Sequence, residues 1–100
     1  MKAKELVKVL ASDIKRLKDA ETALNAAHEA FSNAPEESDW EKEYLNSLAA
    51  YGKIRDALVE RDEAAATLRF KVEEAYSDIP RKFRSSFWKS VNAFYREAGL

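Results

Sequence analysis

Apolar residues recur every seven positions along most of this chain, and no other feature constrains its fold as tightly. Leu10, Leu17, Leu24 and Phe31 form one row. Leu6, Ala20 and Ala27 lie four residues before members of that row, and Val7 and Ile14 widen the stripe. A second row follows: Tyr44, Tyr51, Leu58, Ala65, Val72 and Ile79. Ile54, Leu68 and Ala75 sit three residues after its members, and Leu48 and Tyr76 four after. Spacings of three and four that close on seven place apolar side chains along one face of an α-helix, the pattern of packed helical seams. Leu17 and Leu58 are expected to be seam residues, so Asp at either position is expected to unfold the chain or dissociate its oligomer.

Two prolines punctuate the pattern. Pro35, in SNAPEESD, and Pro80, in SDIPR, each disfavour helix in the preceding residue and so mark helix boundaries. The expected elements are a helix over about 3–32, a loop at 33–38, a helix over about 39–77, a loop at 78–80 and a helix over about 81–98. Ser38 and Glu41 fit a capping box at the start of the second helix. The weak point of that helix is Gly52, since glycine inside a helix costs about 1 kcal/mol relative to Ala. The seven-residue phase passes through Gly52 unbroken and no Pro or Asn accompanies it, which favours one continuous helix over a break at 50–53.

The 100 residues include only two Gly and two Pro, with 46% hydrophobic side chains. That is too apolar for disorder and too poor in turn formers for a β-sandwich. The expected fold is all-α: a single domain over 1–100, built as a long antiparallel helical hairpin with a shorter C-terminal helix packed on it, in the manner of a helical bundle or coiled coil. The third helix is about half the length of the second, so it cannot cover the whole long seam. A second copy of the chain is the simplest cover, and a two-fold dimer is expected. A break at Gly52 would instead suit a four-helix monomer.

Charge is laid out unevenly. Residues 1–20 carry six Lys/Arg and three Asp/Glu, residues 21–79 six and fourteen, and residues 80–100 five and one. Both ends are basic and the middle acidic. They can pair with each other within a bundle, or the ends can form a basic pole for an anionic partner.

The last segment concentrates the question. RKFRSSFWKSVNAFYREAGL holds five basic residues, one acidic residue and five of the 11 aromatics. At about 100° per residue, Phe83, Phe87, Val91, Phe94 and Ala98 share a sector of about 80°, with Trp88 and Tyr95 at its edge. Lys82, Lys89 and Arg96 fall on the opposite side. The sector is expected to close the core, leaving Trp88 and Tyr95 partly exposed beside the cations, a combination enriched at protein interfaces. The basic stripe admits three readings: a solvated face, an interface for an acidic partner or the acidic middle of a second copy, or phosphate contacts on nucleic acid. The candidate partner-binding residues are Arg81, Lys82, Arg84, Trp88, Lys89, Tyr95 and Arg96. A membrane-surface role would require the aromatic face to leave the core, and the acidic middle would be repelled by anionic lipid.

Little in the chain suggests catalysis. There is no cysteine, which removes disulfides, thiolate metal sites and Cys nucleophiles and fits a reducing compartment. The single histidine, His28, has no partner at triad or metal spacing and reads as a surface or rim residue. The acidic run Glu36, Glu37, Asp39, Glu41 and Glu43 lacks the spacing and glycine of a calcium loop, and reads as a solvated loop with favourable charge at a helix start. Asp13 interrupts the first seam and reads as a register-setting or rim residue. No cofactor or metal is expected. No apolar stretch is long enough to cross a bilayer, and the Lys-rich start lacks the apolar run of a signal peptide, so a cytoplasmic protein is expected. The expected function is that of a non-enzymatic protein-binding module, a small adaptor, inhibitor or regulatory subunit that holds a larger protein or complex through its helical surface. The alternative is a nucleic-acid-associated protein.

Overall fold

The computed structural model describes residues 1–100, and the chain is all-helical with no strand. Four helices pack together: α1 (Ala3–Val9), α2 (Ala11–Ser32), α3 (Trp40–Ala75) and α4 (Arg84–Glu97), the last preceded by a single 3-10 turn at Arg81–Phe83. No helix is long and apolar enough to cross a membrane.

The first expected helix is interrupted once. Leu10 leaves helical geometry at φ -99°, ψ 21°, which separates α1 from α2. The hydrogen-bond ladder nevertheless crosses it: Leu10 N–H donates to Leu6 O at 2.9 Å, and Ile14 N–H to Leu10 O at 3.0 Å. α1 packs mainly on α4, α2 on α3.

α3 runs for 36 residues through Gly52 without a break, about 54 Å at 1.5 Å per residue. Its cap differs from the expected one. Asp39, not Ser38, holds the N-terminus, its carboxylate accepting a hydrogen bond from Glu41 N–H at 3.0 Å. The Asp39 carboxylate satisfies a free N–H of the first turn, so the cap is Asp39 rather than a Ser38–Glu41 box. α2 and α3 are joined along their lengths. Asp13 accepts from Lys71 Nζ at 3.0 and 3.1 Å, Arg16 donates to Glu60 at 2.8 and 3.2 Å, and Phe31 meets Tyr51 near the connecting loop. Asp13 is thus an ion-paired residue at the rim of the seam.

The 3-10 turn shifts the phase of the last segment. Phe83, at φ -105°, ψ 39°, lies outside the regular helix and is 50% exposed. Its expected place in the core fails because three residues per turn, not 3.6, precede α4. Phe87 is half-buried, and Val91, Phe94 and Ala98 are buried. α4 ends on Gly99 at φ 74°, where Leu100 N–H donates to Tyr95 O at 2.9 Å and Gly99 N–H to Arg96 O at 3.1 Å. These two bonds make a Schellman end, which needs the left-handed glycine.

The core lies at one end of the molecule. Leu6, Ile14 and Leu17 of α1 and α2, with Leu10 between them, meet Ala64, Leu68 and Val72 of the second half of α3 and its C-cap Tyr76, with Val91 and Phe94 of α4 and its C-cap Ala98. Only 13 of 100 residues are buried, so the other end of the molecule is a two-helix extension with little interior. The shape reflects this. The chain measures 62 × 22 × 17 Å with a radius of gyration of 19.0 Å, against about 13 Å for a compact chain of this length.

Candidate interaction surfaces

The two ends present different chemistry. At the core end, all the expected partner-binding residues lie on the 3-10 turn and α4. Arg81, Lys82, Arg84, Lys89 and Arg96 are exposed, and none makes an ion pair. Lys82 Nζ lies 5.2 Å from the Phe83 ring centroid, a cation–π distance. Trp88 is 38% exposed and stands edge-on to Phe87, with ring centroids 5.1 Å apart. Tyr95 is half-buried and stands edge-on to Phe94 at 5.4 Å. Burial first, and then the Glu73 charge, push the Tyr95 hydroxyl above its ordinary pKa, with Arg69 opposing. Arg81 and Arg84 meet in a shallow hollow with Ser77, Ile79, Pro80 and Phe87.

The opposite end carries a surface built from residues expected in the seam. The row Tyr44, Tyr51, Leu58, Ala65, Val72, Ile79 is continuous along α3, but its two halves differ. Val72 is fully buried in the cluster that holds Val91 and Phe94, and Ala65 and Ile79 pack against that cluster. Tyr44, Tyr51 and Leu58 are 59%, 58% and 39% exposed. Leu58 is therefore not a core residue. Leu48, one row further round α3, is also exposed.

The seam with α2 follows a neighbouring track. Ser47, Ala50, Ile54 and Ala57 are half-buried and carry the spacing of three and four into Ala64 and Leu68. Ser47, Ala50 and Ala57 are small, and the larger Tyr and Leu side chains of the open row stand beside this track. Ile54, Leu68 and Ala75, three residues after members of the row that starts at Tyr44, mark this track in the sequence.

The exposed total agrees with this picture. A compact monomer of 11.4 kDa exposes about 5,800 Å², whereas this chain exposes 7607 Å².

Charge also separates the ends. From Glu21 to Tyr51 the chain has seven acidic residues and a single base, Lys42. None of the seven is in an ion pair. Asp39 is occupied as the α3 cap. His28 is exposed on α2, and no three His, Asp or Glu side chains converge in metal-binding geometry.

No family model matches the chain, and no curated protein or solved structure matches it.

Proposed function

We propose that this protein is a non-enzymatic protein-binding module, a small adaptor, inhibitor or regulatory subunit that acts by holding a larger protein or complex. The observation that carries the reading is the half-covered row of α3, buried at Val72 in the cluster with Val91 and Phe94 and open at Tyr44 and Tyr51. Contiguous exposed aromatic and leucine side chains on a rigid helix are what interfaces are made of, and singly scattered ones are not. Two kinds of occupant would cover the row: a second copy, giving a closed two-fold dimer, or a helix of another protein. The cysteine-free chain suits a reducing compartment, and we place it in the cytoplasm.

A second reading draws on the core end. Five unpaired cations on the 3-10 turn and α4 fit phosphate contacts on nucleic acid. One experiment separates the two readings. The tagged chain and a Leu48→Gln/Tyr51→Gln variant are used for capture from source-cell lysate, with and without nuclease. Proteins retained by the wild type after nuclease and lost by the variant support the module. Retention that collapses with nuclease and ignores the variant would transfer the function to the basic end.

A further inference from the structure

We propose that the open half of the α3 row is the docking site for a basic amphipathic helix of another protein. The inference rests on the protein-binding reading above and specifies the chemistry of the partner.

Three observations converge on that class. The first is that the chain shows what fits the row. α4, an amphipathic helix with Phe87, Val91 and Phe94 turned inward, caps the core beside Val72 and Ile79. The open half continues the same face from Tyr44 to Leu58, about 21 Å of helix at 1.5 Å per residue, or roughly four turns of an occupant. A further helix would lie along the groove beyond α4, with apolar anchors at spacings of three and four.

The second observation is the outer face of α4. Arg84, Lys89 and Arg96 are exposed, so a helix with an apolar front and a basic back is already compatible with this scaffold. The third is charge. From Glu21 to Leu58, the span that includes the open row, the chain carries eight acidic residues against Lys42, Lys53 and Arg55, and of the eight only Asp56 is in an ion pair, with Arg55. A helix rich in Lys and Arg meets a complementary field there, which speeds encounter and excludes acidic competitors. A two-fold dimer formed groove to groove would set two acidic ends against each other.

The test uses the full-length chain and two synthetic 14-residue probes with leucine at helical spacing, one with lysine at the polar positions (LKKLLKLLKKLLKL) and one with glutamate. The lysine probe should bind one per chain, at least tenfold tighter than the glutamate probe, and should weaken as salt is raised. Tyr44→Gln/Leu48→Gln/Tyr51→Gln keeps every charge and should weaken the lysine probe at least tenfold. Leu48→Gln alone, at a 50% exposed position, serves if the triple variant melts differently from wild type.

Three results would overturn the proposal: equal binding of the two probes, undiminished binding to the Gln variants, or a wild-type dimer that the Gln variants dissociate. The lysate capture above tells this failure from that of the wider reading. If the Gln variants still lose captured proteins, only the basic-helix assignment falls. If they lose nothing, both fall.

Discussion

Tyr51 and Val72 occupy the same row of α3, three seven-residue steps apart, yet Tyr51 is 58% exposed and Val72 is fully buried. The helix is regular between them, so the difference comes from the neighbours. Val72 sits in the buried cluster with Leu6, Val91 and Phe94, and Tyr51 stands outside that cluster. Tyr51 instead makes a tilted contact with Phe31 across the α2–α3 groove, with ring centroids 5.0 Å apart.

This asymmetry predicts unequal costs for aspartate in the two apolar rows. Leu17 is 6% exposed and Leu58 is 39% exposed. Leu17→Asp loses a buried side chain and strands a charge, and should cost about 3 kcal/mol or more. Leu58→Asp should cost under about 1 kcal/mol, as surface changes do. Urea unfolding followed by helical circular dichroism measures both, and equal losses would contradict the one-ended core.

Truncation should show the same polarity. Phe94→Ala removes a fully buried ring and should cost about 3–5 kcal/mol. Tyr51→Ala loses mainly its exposed pairing with Phe31 and should cost about 1 kcal/mol. A Tyr51 variant as damaging as the Phe94 variant would mean that the open end carries stability of its own.

The two glycines should respond with opposite signs. A Cβ added at Gly52 meets no atom within 4 Å, and α3 continues through the position. Gly52→Ala should therefore stabilise by about 1 kcal/mol. Gly99 has φ +74°, with Lys18 Nζ 3.4 Å from an added Cβ. Gly99→Ala should destabilise by about 1 kcal/mol. Thermal melts of the two variants should move in opposite directions, and a fall for Gly52→Ala would point to a role for the glycine beyond the helix.

Both tryptophans should be open to solvent quenchers. Trp40 is 77% exposed and Trp88 is 38% exposed. A Trp40→Phe variant isolates Trp88, whose fluorescence should still be quenched by acrylamide, with a smaller slope than that of Trp40 in a Trp88→Phe variant. A fully protected Trp88 would show that its indole is not at the surface of α4.

Stability should fall at both extremes of pH. Burial raises the Tyr76 hydroxyl above its ordinary pKa in the folded chain. The unfolded chain then loses that proton first, so stability is full below about pH 10 and is lost as pH rises through the folded value. On the acid side, the Arg16 hydrogen bond lowers the Glu60 pKa, against desolvation. Its contribution is present above the ordinary carboxylate value and is lost as pH falls through the lowered one. Tyr76→Phe should flatten the alkaline limb and Glu60→Gln part of the acid limb in denaturation midpoints measured across pH. An unchanged alkaline limb in Tyr76→Phe would remove the tyrosine from that account.

The sequence by itself determined the helical class, the punctuation at Pro35 and Pro80, the passage of α3 through Gly52 and the stop at Gly99. These are local matters, set by backbone dihedrals, hydrogen-bond donors and a period that any stretch of seven residues displays. Leu17, Val91 and Phe94 were legible as core for the same reason. The tertiary structure alone decided which of two adjacent rows on α3 forms the seam. Both rows repeat every seven residues, and only burial distinguishes them: Ser47, Ala50 and Ala57 are half-buried, whereas Tyr44, Tyr51 and Leu58 are exposed. It also decided that Phe83 turns outward, because one 3-10 turn changes the phase that a uniform helical wheel assumes. The open surface at Tyr44, Leu48 and Tyr51 follows from where α4 lies and how far it reaches. Burial is a property of neighbours, and no periodicity along one helix records where its neighbour ends.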